Sequence, residues 1–416
     1  MSGGCEVRNV EKQKVPELRF PEFKDEWKTQ KLGELIVEYN EYADMGSEYP
    51  LLTSSRSGLM LQSQFRDSKT TKNEEALFSV LPYGYCTYRH MSDDDVFHFN
   101  INNLVSNGLV SKEYPVFSTK NDNDLYAIVC NLNHSRKFRS FCRAQKMGGT
   151  RTRLYFNKLC QYKILFPSQK EQDKISNFFI TLDNRIDLAD KKLATLQTIK
   201  QGMLQKIFSQ ELRFKDDEGK EFPAWEKLQI GDFIQFVGGA TPSKDNPAYW
   251  NGYIPWLSSK EINVGGFISK GTYAITQKAI EETGTKLVPA STPLIISRSG
   301  ILANRFPVTV TTNEVAINQD IKALMFDRGK FITQFIVSLI EANSYRILTT
   351  IVKGGTTVES VNMPDMVKMK VAIPSLPEQQ KIAAYFTALD RAIAAAQQKA
   401  AALRTIKRGL LQKMFV

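Results

Sequence analysis

Two stretches of the chain carry apolar residues at steps of three and four. In the first they fall at Ile175, Phe178, Leu182, Ile186, Ala189, Leu193, Leu196, Ile199, Met203 and Ile207. In the second they fall at Ile382, Tyr385, Leu389, Ile393, Ala396, Ala400, Leu403, Ile406, Leu410 and Met414. That period predicts two long helices, each with one apolar stripe. Each stretch opens on Pro-Ser-x-x-Glu: Pro167, Ser168 and Glu171 in one, Pro374, Ser375 and Glu378 in the other. The pattern reads as a capping box, with the serine hydroxyl accepting from the backbone three residues on and the glutamate reaching back. Elsewhere short β-type runs (Tyr85-Cys86-Thr87-Tyr88, Ala127-Ile128-Val129-Cys130, Pro293-Leu294-Ile295-Ile296-Ser297) mix with Gly, Asn and Ser clusters and helical stretches such as residues 330–348. These predict compact α+β modules.

The two helical stretches are copies of one another. Residues 168–208 and 375–415 match at a constant offset of 207, with 21 of 41 positions identical and no gap. A weaker match joins Glu17-Leu18-Arg19-Phe20, Trp27 and Leu32-Gly33 to Glu211-Leu212-Arg213-Phe214, Trp225 and Ile230-Gly231. Between these frames only islands agree, Tyr49-Pro50-Leu51-Leu52-Thr53-Ser54 with residues 254–259, and Met147-Gly148-Gly149-Thr150 with Lys353-Gly354-Gly355-Thr356. The expected organisation is a polar tail (1–14), a variable module (15–166), a shared helix (167–210), a second module (211–373) and a second shared helix (374–416). Two stripes of equal length bury most simply against each other as a coiled coil, antiparallel if a pseudo-two-fold axis relates the halves. Such a rod of 39 residues is about 58 Å long. A dimerisation stalk, or a duplication followed by drift, are the plainer alternatives.

At 416 residues two or more domains are expected. No apolar run approaches the roughly 18 residues of a membrane span. Residues 1–14 are polar and do not read as a signal peptide, so a cytoplasmic protein is expected. Five cysteines, Cys5, Cys86, Cys130, Cys142 and Cys160, are an odd number without CxxC spacing and read as free thiols.

The net charge of +11 favours a polyanionic partner, and its distribution sharpens that reading. Residues 131–163 contain no acid but hold Arg136, Lys137, Arg139, Arg143, Lys146, Arg151, Arg153, Lys158 and Lys163, interleaved with Phe138, Phe141, Tyr155, Phe156 and Tyr162. A solvated face usually mixes signs, whereas a face apposed to phosphates does not. Arg56 and Arg89 in the first half, and Lys260, Arg298, Arg305 and Lys353 in the second, complete the DNA-binding candidates. Arg56 and Lys260 fall near equivalent loops, and Arg89 aligns near Arg298. A rod of the expected length could hold two such modules over neighbouring major grooves, one duplex turn being about 34–36 Å.

Catalytic chemistry is harder to find. The three histidines, His90, His98 and His134, all lie in the first half, and no P-loop is present. Asn246-Pro247-Ala248-Tyr249 approaches the loop with which amino-methyltransferases grip a flipped adenine. It has Ala where the second proline belongs and no preceding glycine motif for S-adenosylmethionine, so it reads as a structural turn.

The frames Leu18-Arg19-Phe20-Pro21-Glu22-Phe23 with Trp27, the tract Gly239-Ala240-Thr241-Pro242-Ser243 with Asn246 to Trp250 and Ile254-Pro255-Trp256, and both Pro-Ser-x-x-Glu-Gln helices resemble type I restriction-modification specificity subunits. The resemblance covers nearly the whole chain and is weakest between Glu34 and Tyr162. It implies two target-recognition domains that each read half of a split, asymmetric double-stranded DNA site. It further implies helices that set the spacer and dock two modification subunits, which would bring S-adenosylmethionine, and motor-nuclease subunits that would add ATP-driven translocation and cleavage. The chain itself would then hold no cofactor, no metal and no catalytic residue. Charges repeated along the helices, Lys174 with Lys381, Asp183 with Asp390 and Lys200 with Lys407, are the candidate partner-binding positions. A self-sufficient adenine methyltransferase and a helical protein-binding scaffold remain the other readings.

Overall fold

The computed structural model describes residues 15–64, 76–121, 123–146, 150–262, 266–355 and 358–415. Residues 1–14, with Cys5, and most of the Met147 to Thr150 island lie outside them. Helix and strand are mixed throughout, as an α+β chain requires. Contacts divide the molecule into two units: one takes the chain up to Leu188 together with the chain from Lys399 on, and the other is Ala189–Gln398.

In the first unit Ile36–Glu38, Val116–Thr119, Cys86–Tyr88 and Phe99–Ile101 form a four-stranded antiparallel sheet. Tyr88, Phe99 and Phe117 from that sheet pack on Ile128 and Phe138 of two successive helices, Leu125–His134 and Arg136–Ala144. The second unit has a five-stranded sheet of Gln235–Gly238, Ile321–Met325, Pro293–Ile296, Val308–Thr311 and Gly266–Ile268, covered by Thr333–Ala342. A further sheet of four strands centres on Trp250–Leu257. The Ala127 to Cys130 run is helical, against the strand expectation. Asp124 accepts from the Ala127 amide at 2.9 Å and starts a helix buried over most of its length, where Ile and Val carry no strand signal of their own.

Both long helices are present, Gln169–Phe208 and Leu376–Met414. Their stripes are shifted by one residue at matching points. Phe179 and Phe386 are fully buried where Phe178 and Tyr385 were expected, and Phe178 is exposed. Ile199 and Ile406 are exposed as well, while Lys200 and Lys407 turn inward toward carboxylates.

The capping box does not form. Glu171 instead accepts two hydrogen bonds from Arg19, at 2.6 and 2.7 Å, and one from the Trp27 indole at 3.2 Å. Glu378 likewise accepts from Arg213 (3.2 and 2.7 Å) and Trp225 (3.0 Å), and the buried Ser375 hydroxyl has no partner among the described residues. A charge-assisted fork to arginine is stronger than a reach back to a backbone amide, so the tertiary contact wins. In both units a short strand pair closes the module, Lys28–Lys31 with Lys163–Phe166 and Glu226–Gln229 with Lys370–Ile373. The frame glycines Gly33 and Gly231 sit where a Cβ would come within 2.9 Å of Cys160 and 2.3 Å of Val367.

Candidate nucleic-acid interface

Helix Arg136–Ala144 of the first unit is strongly amphipathic. Phe138 and Cys142, four residues apart, face the core, so Arg136, Lys137, Arg139 and Arg143 project outward. Lys146, Arg151 and Arg153 are exposed beyond it. The interleaved aromatics divide: Phe138 and Tyr162 are core residues, Phe141 and Phe156 pack against that core, and Tyr155 is exposed. Tyr155 stacks at 5.6 Å on His90, whose burial lowers its pKa against the pull of Glu113. Arg153 and Arg89 add their charge beside the same imidazole.

The acid-free block is not acid-free in space. The turn Asp93-Asp94-Asp95 meets Arg151 through Asp93 at 2.8 Å, Arg56 through Asp94, and Arg143 through Asp95 at 3.8 Å. The fold therefore gathers Arg56, Arg143 and Arg151 at one turn and leaves Arg136, Lys137, Arg139 and Lys146 exposed on and beside the helix.

In the second unit Arg298 and Lys353 are brought opposite the same residue, Ser360, one by an isolated bridge and the other by strand pairing. Arg305 lies apart and lines a pocket of about 600 Å³ with Lys200, Glu341, Tyr345 and Asp390. Lys260 sits in a turn organised by Glu261, which accepts from the Ser258 amide and hydroxyl at 2.9 and 2.6 Å. Asn246-Pro247-Ala248-Tyr249 is a capped 3-10 turn: the Asn246 side chain accepts from the Ala248 amide, and the Tyr249 hydroxyl donates to Glu282 at 3.1 Å.

The repeated helix charges are engaged within the chain. Asp183 accepts from Lys407 and, at 2.6 Å, from the Tyr126 hydroxyl. Lys200 lies 2.8 Å from Asp390 and 2.7 Å from Glu341, and Gln334 donates to Asp390 at 3.0 Å. Lys174 reaches Glu22 at 3.1 Å and Lys381 reaches Asp217 at 2.6 Å. Sequence reasoning missed Arg19, Trp27, Arg213 and Trp225 as holders of the helix starts. Their signal was available, since all four fall in the weakly matching frames while Glu171 and Glu378 fall in the strong match. It also missed Gln172 and Gln379, which each bridge a helix start to a neighbouring loop, accepting from Asp124 N at 3.0 Å and Ile332 N at 3.2 Å.

Three comparisons bear on this geometry. The family model described as type I restriction modification DNA specificity domain matches residues 96–198 and 224–405. The EcoR124I/EcoR124II specificity subunit of Escherichia coli is 28% identical over 238 residues, 56% of this chain and 57% of that protein. The MjaIX specificity subunit of Methanocaldococcus jannaschii is 28% identical over 212 residues, 50% of this chain and 48% of that one. The chain thus spans about half the length of these curated relatives. Among solved structures, the type I restriction-modification S subunit from M. genitalium superposes with a TM-score of 0.60 at 14% identity, covering 97% of this chain and 99% of that one. A chain from a study of complex assembly in the type I R-M system gives 0.52 at 16% identity, covering 94% and 97%. These last two speak for the fold, and the family match takes in the later part of the first module, both long helices in large part and most of the second module: the chain belongs to the type I restriction modification DNA specificity domain family.

Proposed function

We propose that this chain is the DNA-reading specificity subunit of a type I restriction-modification complex. Its two modules, residues 15–166 and 211–373, each read half of a split, asymmetric site. The helical segments 167–210 and 374–416 run antiparallel as a coiled coil and set the distance between the half-sites. They also dock two modification subunits, which bring S-adenosylmethionine and methylate adenine, while motor-nuclease subunits supply ATP-driven translocation and cleavage. The chain contributes recognition and geometry, and its partners contribute the chemistry.

The observation that carries this reading is the family match, which reaches part of the first module and most of the second, joined to a duplicated set of contacts. Asp183 with Lys407 and Lys200 with Asp390 are one interaction repeated at the 207 offset, and the contacts of Arg19 and Trp27 with Glu171 recur as those of Arg213 and Trp225 with Glu378, through the more loosely matching frames. Retained anchors beside divergent modules support one common partner and two different targets. Exposed Arg136, Lys137, Arg139, Lys146 and Arg153 in the first unit, and Arg298 with Lys353 in the second, are the leading phosphate or base contacts.

Methylome sequencing of cells with and without the gene tests the proposal. Adenine methylation at a bipartite, asymmetric site should appear only when the gene is present. Methylation at an undivided site, or an unchanged methylome in cells that hold the modification subunit, would overturn it. Calorimetric uptake of S-adenosylmethionine by the isolated chain would favour a self-sufficient methyltransferase instead.

A further inference from the structure

The three consecutive carboxylates of the first unit are each paired with a cation. Each takes an arginine from a different segment: Asp94 takes Arg56 from the turn of the Leu52–Ser55 and Gly58–Leu61 hairpin, Asp95 takes Arg143 from the basic helix, and Asp93 takes Arg151 from the loop that follows it. The turn is held in shape from below. The buried Ser92 hydroxyl accepts from the amides of Asp94 and Val96 and donates to Asp94, and Asp95 accepts from the Thr152 hydroxyl. Strand Met91–Ser92 is itself paired to Thr152–Arg153. Each of these carboxylates thus engages a guanidinium group that a phosphate could pair with instead.

The pairs are solvated, with the three arginine side chains between 52 and 71% exposed. Exposed pairs of this kind are weak, so they compete with phosphate without excluding it. Sequence-independent binding comes almost wholly from counterions released as phosphates meet lysine and arginine, and an arginine already neutralised in the free protein adds little to it.

We propose that the Asp93–Asp95 turn is an internal counter-charge that limits sequence-independent DNA binding by the first unit. The turn withholds Arg56, Arg143 and Arg151 from random duplex, so that affinity depends more on contacts made at the correct half-site. This rests on the DNA-reading function proposed above.

The test is the salt dependence of random-duplex binding by the full chain, wild type against Asp93→Asn/Asp94→Asn/Asp95→Asn. Releasing three arginines should steepen the slope of log affinity against log salt by about 2 to 3, at roughly 0.9 per phosphate, and tighten random-duplex binding at least tenfold at low salt. The double variant Asp93→Asn/Asp94→Asn keeps Asp95 and its bond to Thr152. It should steepen the slope by about 2 even if the triple variant folds poorly. A folded variant whose slope and affinity equal the wild type's, or that binds random duplex more weakly, overturns the inference. A wild-type slope of zero would instead overturn the DNA-reading function itself.

Discussion

The two units solve one structural problem with different charges. In the first, Lys407 meets a single carboxylate, Asp183, which also accepts from the Tyr126 hydroxyl. In the second, the repeat-equivalent Lys200 meets two carboxylates, Asp390 and Glu341, and its side chain is only 12% exposed against 25% for Lys407. Burial disfavours the charged lysine, yet Glu341 and Asp390 together outweigh it and raise the Lys200 pKa. Burial likewise raises that of Glu341, against the pull of Lys200. Asp124 and Ile332 donate their amides to the repeat-equivalent Gln172 and Gln379, and nine residues on from each stand Asn133 and Glu341; the Asn133 amide is spent on the backbone of Phe99. A retained Asp–Lys contact is therefore more enclosed, and meets a second carboxylate, in one copy and not in the other, because the neighbouring helix differs.

The largest effect should come from breaking the more enclosed copy. Lys200→Met leaves Glu341 and Asp390 without the lysine that pairs them, though Arg305 lines the same pocket. Removing one partner of a fully buried ion cluster costs about 3–5 kcal/mol, and the partial exposure of this one sets the expected loss at about 2 kcal/mol. Hydrogen exchange should show the loss in 190–208 and 333–398, with the first unit unchanged. Equal protection of those segments in variant and wild type would remove the distinction between the copies.

Lys407→Met should cost less, about 1 kcal/mol, because the pair is more exposed than its counterpart and Asp183 keeps its bond from Tyr126. Denaturant midpoints of the two methionine variants, measured side by side, give the ranking. A Lys407 variant as damaged as the Lys200 variant would mean that burial does not set the difference.

Protons should separate the units further, since all three histidines lie in the first. Burial lowers the pKa of both His90 and His98 below the ordinary 6.5. The unfolded chain then binds more protons than the folded one below that value, so stability is fully present above pH 6.5 and falls as the pH drops through the folded pKa values. The first unit alone should lose protection between pH 7.5 and 5.5, and His90→Gln should shrink that loss. Identical first-unit protection at both pH values would refute it.

How far the sequence could be read follows from the range of the forces involved. The long helices were legible because a stripe sustained over some forty residues is a local signal, and the frames because duplication repeats them. Charge partners were not legible, because pairing Asp183 with Lys407 is a fact of tertiary packing. The carboxylates that meet the acid-free run from 131 to 163 were hidden for the same reason, since Asp95 and Asp93 reach Arg143 and Arg151 from far upstream in the chain. Phe138 and Tyr162 looked interleaved with cations in the sequence and are separated from them in space by the two faces of one short helix and its sheet.

The smallest effect on stability should come from Lys174 and Lys381, the remaining pair of repeated helix charges. Their partners Glu22 and Asp217 are exposed, so Lys174→Ala and Lys381→Ala should leave the melting temperature unchanged within error. The internal pairs occupy the other four charges, which leaves these two lysines as the repeated positions best able to exchange an internal carboxylate for one on a partner. Titrating a modification subunit onto each variant sharpens the comparison between the copies. Loss of one of two bound subunits in either single variant, and of both in the double variant, is the outcome expected if each copy docks one partner. Undiminished binding of two subunits by the double variant would move the docking surface off these lysines.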